Sequence, residues 1–172
     1  MKNILTILVL FITINDGFTQ QPTCLKGDCK NGFGILSAPN GNRYEGNFVN
    51  GVMVGQGTLF FANGDKYVGE FANNVIGGKG VFYFGNGTRY EGTFTNGNLT
   101  GSGTLYAANG DKYVGEIVNG LMHGTGTYLF ANGTKMEGKF ANNNYVGSGV
   151  FDFKKNKMTL KGTMNCLDVS PD

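Results

Sequence analysis

His123 is the only histidine in the chain, so it is the first residue to weigh as a general base, metal ligand or pH switch. No Cys, His or Asp lies at a spacing that would complete a metal shell or orient the imidazole. It reads as a loop residue that fits a local pattern. Serine is scarce and G-x-S-x-G does not occur, so a serine nucleophile has no setting. "GSG" and "GTG" suggest phosphate loops, but the lysine and hydroxyl that complete such a loop do not follow, and the motif recurs throughout. Glu45, Glu70, Glu91, Glu116 and Glu137 lie near basic residues and read as surface charge pairs. The residues therefore point to no catalysis, no cofactor and no metal.

Three sets of residues suit binding better. Arg43, Lys66, Arg89, Lys112 and Lys135 recur at one spacing, a ladder that could attract anionic phospholipid head groups or acidic glycans. Met53, Ile76, Leu99, Met122 and Tyr145 form an apolar ladder, read as lying in loops, either as an exposed strip or as a cap on one edge of the core. Tyr44, Phe48, Tyr67, Phe71, Tyr90, Phe94 and Tyr113 form an aromatic series, mostly core, part of which could line an open surface.

One repeat positions all three sets. Tyr44, Tyr67, Tyr90, Tyr113 and Met136 are spaced by 23 residues. Gly46, Gly69, Gly92, Gly115 and Gly138 follow two residues later, then Phe48, Phe71, Phe94, Ile117 and Phe140. A G-x-G pair comes next, as in Gly55/Gly57 or Gly78/Gly80, and an Asn-Gly pair closes the unit, as in Asn63-Gly64. Such a period is the mark of a repeat array. "ANGDKYVGE" occurs unchanged at 62–70 and 108–116, an offset of two units, so alternate units resemble each other. Half units flank the array, from Gly32 to Gly41 and from Leu160 to Met164. The second slips by one residue after "KKNKMT" and reads as a degenerate capping end.

Each unit holds two short runs with alternating apolar residues, as in "KYVGEF" and "GTLFF", which is the strand period. Asn-Gly between one unit and the next is a strong tight-turn signal, while the other connection, as in "ANNVIGGK", reads as longer and looser. One unit is thus one β-hairpin, and the expected fold is all-β, an elongated single-layer antiparallel sheet of tandem hairpins growing by ~10 Å per unit. Tyr67, Gly69 and Phe71 share one face, and Lys66, Val68 and Glu70 the other. The glycines leave gaps in which rings from neighbouring strands can lie.

The pattern "NGDKYVGEF…GxG" resembles the MORN (membrane occupation and recognition nexus) repeat over about Gly32 to Met164. The family often has Trp where this chain has Phe48, Phe71, Phe94 and Phe140, and a basic residue with His in the looser loop, where here only His123 matches. The resemblance implies a β-hairpin scaffold and, as the family's name suggests, membrane lipid as a second class of ligand. Some lipid kinases carry similar repeats, but this chain has no residues left over for a kinase domain.

The ends and the composition complete the expectation. "MKN" followed by the eleven apolar residues Ile4–Ile14 has the layout of a secretory signal peptide and is too short to span a bilayer. The expected organisation is a signal peptide over 1–20, an N-terminal cap over 21–31, five full and two half units over 32–164, and a tail over 165–172. In an exported chain Cys24 and Cys29 are close enough to form a short disulfide. Cys24 lacks the Leu usual before a lipidated Cys, and the role of Cys166 stays open: free, paired between chains, or replacing one of the others. The 30 Gly among 172 residues argue against long helices. A net charge of +2 without a Lys/Arg run argues against nucleic acid. The expected function is a non-catalytic, exported scaffold that binds a protein or cell-envelope component, with peripheral binding of anionic phospholipid as the alternative.

Overall fold

A computed structural model of the chain describes residues 21–153 and 156–165. The leader assigned to 1–20, Cys166 and the tail lie outside the described residues. Thirteen strands follow one another in antiparallel order: β1 (Thr23–Gly27), β2 (Gly32–Ser37), β3 (Arg43–Val49), β4 (Val52–Phe60), β5 (Lys66–Ala72), β6 (Val75–Tyr83), β7 (Arg89–Thr95), β8 (Asn98–Tyr106), β9 (Lys112–Val118), β10 (Leu121–Leu129), β11 (Lys135–Ala141), β12 (Asn144–Phe153) and β13 (Asn156–Asn165). Strands β2 to β13 form a series of tandem antiparallel hairpins, and β1 precedes them. The chain divides into two compact units. One runs up to Gly87 and includes Thr93–Asn98; the other holds Thr88–Gly92 and continues from Leu99.

The two kinds of connection are the reverse of the sequence expectation. The "looser" one is a two-residue turn. Asn119 and Gly120 have φ of 49° and 76°, and Asn73 and Asn74 have 50° and 64°. Two successive positive φ values are the type I′ geometry that follows the strand twist, and Asn tolerates it. The Asn-Gly between units lies instead in a longer loop, where Gly64 N–H donates to the Phe61 carbonyl at 3.0 Å and Phe61 N–H to the Asp65 carbonyl at 3.0 Å. Asn-Gly pairs occur in both connections, so the dipeptide alone could not choose between them.

With the turn tight, the strand that follows begins early. Met53, Ile76, Leu99, Met122 and Tyr145 therefore lie in strands, and all are buried. They are neither loop residues nor an exposed strip. His123 likewise belongs to β10, with its side chain exposed.

The hairpins are stapled to their neighbours at both ends. On the tight-turn side, Asn74 Oδ1 accepts Met53 N–H and Asn143 Oδ1 accepts Met122 N–H, each at 2.8 Å. On the other side, Asp65 Oδ1 accepts Gly85 N–H at 2.7 Å and Asp111 Oδ1 accepts Ala131 N–H at 2.8 Å. Each bond gives a backbone amide an acceptor supplied by a neighbouring hairpin. At the N-terminal edge, Cys24 in β1 is disulfide-bonded to Cys29, with the Cα atoms 5.9 Å apart.

Candidate functional site

The sheet has an inner face, closed by its own rings, and an outer face. The inner face starts from glycine. The Tyr67 ring folds back along its own strand and lies over Gly69 and over Gly80 of the paired strand. A Cβ on Gly69 would stand 2.6 Å from Tyr67 Cζ and 2.6 Å from Gly80 Cα. Tyr44 covers Gly46 and Gly57 in the same way, Tyr90 covers Gly92 and Gly103, and Tyr113 covers Gly115 and Gly126. The ring over Gly80, like those over Gly57, Gly103 and Gly126, comes as expected from the neighbouring strand, whereas the ring over Gly69, Gly46, Gly92 or Gly115 belongs to the glycine's own strand. The last repeat inverts the arrangement. Met136 stands in the tyrosine position, and Tyr145, from the opposite strand, fills the gap over Gly138.

The phenylalanines lock the rings together. Tyr67 meets Phe71 edge-on at 5.3 Å and Phe94 at 4.9 Å; Tyr44 meets Phe48 at 5.2 Å and Phe71 at 4.9 Å. In the other compact unit Tyr113 meets Phe140 at 5.0 Å. Edge-on contacts of this kind add ~0.5–1.5 kcal/mol beyond area burial. Tyr44, Phe48, Tyr67, Phe71, Tyr90, Phe94 and Tyr113 are consequently 0–4% exposed. The aromatic series is the core, and it offers no binding surface.

The tyrosine hydroxyls hold the bulges open. Each G-x-G strand carries extra residues against its partner, with a register shift between Gly69 and Glu70 in β5–β6 and between His123 and Gly126 in β9–β10. Tyr67 Oη donates to the Glu70 and Gly77 carbonyls, each at 3.2 Å, and Tyr113 Oη to the Glu116 and His123 carbonyls at 3.1 and 3.0 Å. Glu70 and Glu116 complete the bulge, with Glu70 accepting Lys79 N–H at 3.2 Å and Glu116 accepting Thr125 N–H at 3.4 Å. These two carboxylates, expected as partners for basic residues, serve the backbone instead.

Burial pushes the Tyr44 phenol from its ordinary value of 10.0 up to about 12, against the opposing effect of its bond to the Asn47 carbonyl. The folded state therefore holds this proton more tightly than the unfolded chain. Its contribution to stability is complete below pH 10 and is lost as pH rises through about 12. Alkaline titration should show stability level up to that window and falling within it, with the Tyr44 phenolate, read as the difference between the parent and Tyr44→Phe, appearing together with loss of the strand signal. A Tyr44 phenolate developing near its ordinary value in a still-folded protein would contradict the inner-face assignment.

The outer face carries the basic ladder, now with partners. Arg43 pairs with Glu45, Arg89 with Glu91 at 4.0 Å and Lys135 with Glu137 at 2.6 Å, each two residues along the same strand. The cations also sit over rings: Arg43 over Phe60 and Lys66 over Tyr83, both at 4.3 Å, and Arg89 over Tyr106 at 4.0 Å. Lys112 stands 5.3 Å from the Tyr106 ring. The register explains this, since Lys66 faces Phe60 on one side and Tyr83 on the other. Neither the alternating ring row nor the split in glutamate roles was anticipated. The signal was the change from "YEG" to "YVGE" between alternate repeats. Among the described residues no group of three or more His, Cys, Asp and Glu gathers to hold a metal, and no helix is long and apolar enough to cross a membrane.

A sheet of tandem hairpins, with a Tyr-over-Gly inner face and stapled turns, defines a β-hairpin repeat scaffold. The chain belongs to the MORN repeat family, whose profile matches six segments: 26–43, 44–66, 67–89, 90–112, 113–135 and 137–158. The one-residue step before the last segment is where Met136 replaces tyrosine. Compared with curated proteins by sequence, the chain shows no match. Among solved structures it is similar to the TCP domain of SAS-4 (dCPAP) of Drosophila melanogaster, in complex with a proline-rich motif of Ana2 (dSTIL), at 10% identity and a TM-score of 0.35, covering 87% of this chain and 96% of that one. It is also similar to the TCP10 domain of Danio rerio CPAP in complex with a STIL peptide, at 15% identity and a TM-score of 0.29, covering 76% and 68%.

Proposed function

We propose that this chain is an exported, non-catalytic scaffold that binds a protein or another cell-surface component through the outer face of its sheet. The observation that supports this best is the burial of the whole aromatic series, which leaves the outer face to meet a partner. Val68, Val114, Val118 and Leu129 stand exposed there beside the cation–ring row, a mixture of apolar and charged groups suited to protein contacts. Export rests on the leader-like 1–20, and the Cys24–Cys29 disulfide fits an oxidising compartment. N-terminal sequencing of protein from its host should give a chain lacking Met1, and a retained Met1 would remove export from the reading.

Site-specific photo-crosslinkers at Thr58 and Thr104, both on the outer face, test the binding surface. They should give protein adducts in the native host, while crosslinkers at the loop residues Asn63 and Asn109 give few. The reverse pattern would overturn the assignment. Membrane lipid is the alternative reading, and the basic ladder favours it. Each cation near an anionic surface contributes ~1 kcal/mol, screened by salt, but three of the five already hold glutamate. Sedimentation with anionic and neutral vesicles at two salt levels should therefore show weak binding to both, without steep salt dependence. Strong anionic-vesicle binding that disappears in Arg89→Gln/Lys112→Gln would put the lipid reading first.

A further inference from the structure

Alternate repeats differ at one outer-face position. Where the residue after the tyrosine position is glutamate, at Glu45 and Glu91 after Tyr44 and Tyr90 and at Glu137 after Met136, the cation one strand-pleat away is paired within its own strand. Where it is valine, at Val68 and Val114, neither Lys66 nor Lys112 makes an ion pair among the described residues. Asp65 and Asp111, which directly precede the two lysines, accept loop amides, and Glu70 and Glu116 accept bulge amides.

Each compact unit thus contains one lysine of the basic ladder that makes no ion pair and stands next to an exposed valine, 38% exposed at Val68 and 46% at Val114. Around Lys66 stand Tyr83 and Phe60, and Val81 faces Val68. Around Lys112 stand Tyr106 and the exposed Leu129, with Thr104 and Thr127 facing Val114.

We propose that these two spots are docking sites for an extended peptide carrying a carboxylate flanked by aliphatic side chains. The proposal rests on the outer-face reading above and names the partner's chemistry. Charge complementarity selects the acid, because each of these two lysines makes no ion pair of its own. Geometry selects the extended chain. Lys66 and Val68 are two residues apart on a strand, a rise of ~6.6 Å. Side chains two apart on an extended peptide repeat the same distance on one face, so acid over lysine sets an aliphatic group over valine. A sugar face is less suited, since the ammonium lies over the Tyr83 ring where a sugar would stack. A bilayer is less suited, since three of the five ladder cations are already held by glutamate.

The test uses the full chain and a fluorescent peptide, Ser-Val-Ser-Glu-Ser-Val-Ser, followed by anisotropy. Its counterparts carry Gln or Lys in place of the central Glu. The Glu peptide should bind more tightly than either. Val68→Glu/Val114→Glu gives both spots the self-neutralising arrangement that the chain already accepts at positions 45, 91 and 137. It should weaken binding by at least about fivefold without lowering the melting temperature. Lys66→Gln/Lys112→Gln should do the same, while Arg43→Gln should leave binding within about twofold, because that cation is already paired. Equal binding of the three peptides, or binding unchanged in Val68→Glu/Val114→Glu, would overturn the proposal. So would anionic-vesicle binding lost in those variants while the Glu peptide stays unbound, which would reassign the spots to the membrane. If the peptide fails while outer-face crosslinks still form, only the peptide chemistry falls; if both fail, the outer-face reading falls as well.

Discussion

Gly92→Val should destabilise the protein by about 1–3 kcal/mol, and Gly92→Ala by nearly as much. The reason is that the first added carbon already collides. A Cβ there would stand 2.6 Å from Tyr90 Cζ and 2.9 Å from Gly103 Cα. The ring cannot retreat without leaving its gap, and the backbone of the paired strand cannot retreat without breaking the ladder. Gly77→Ala is the matched control. It lies in β6 with nothing within 4 Å of the added carbon, so the change should be neutral or mildly stabilising. Chemical denaturation of the three variants decides the matter. A Gly92→Ala midpoint equal to that of the parent would mean that Tyr90 does not lie where the inner face requires.

Phe71→Ala should have the larger effect, about 3–5 kcal/mol. Phe71 packs edge-on against both Tyr44 and Tyr67, so its loss opens a cavity shared by two repeats. A repeat array is stabilised mainly by contacts between neighbours, and the damage should spread to the adjacent hairpins first. Hydrogen exchange should then accelerate in β3 to β6 ahead of β9 to β12. If Phe71 served an external ligand, its removal would leave stability nearly unchanged and reduce only binding. The two outcomes separate core from contact residue directly.

The repeat and the hairpin sheet were legible because they rest on period alone. Tyr-x-Gly-x-Phe at a constant spacing places three inner-face residues on one strand, whatever the turns do. The turns were misread because the tight connections at Asn50-Gly51 and Asn119-Gly120 carry the same dipeptide as the wider loop at Asn63-Gly64. Loop length is set by the register of the flanking strands, which a dipeptide does not encode. Met53 and Ile76 passed from loop to core for the same reason. The aromatic series was ambiguous because a single sheet normally leaves both faces open. Closure here depends on each tyrosine folding over glycines in its own hairpin, a side-chain direction that spacing cannot reveal. The cation–ring row was hidden because Arg43 and Phe60 are neighbours only across the strands.

The central claim is that the ring-rich face is internal and the opposite face alone is available to a partner. The eight tyrosines report on both faces. Tyr83 and Tyr106 are half-buried on the outer face, while Tyr44, Tyr67, Tyr90, Tyr113, Tyr128 and Tyr145 are buried. Fluorotyrosine can be incorporated throughout, each resonance assigned by a Tyr→Phe variant, and a soluble paramagnetic agent titrated while fluorine relaxation is recorded. Strong enhancement should be confined to Tyr83 and Tyr106. Enhancement of Tyr67 or Tyr90 as large as that of Tyr83 would show the inner face open to solvent and would contradict the account.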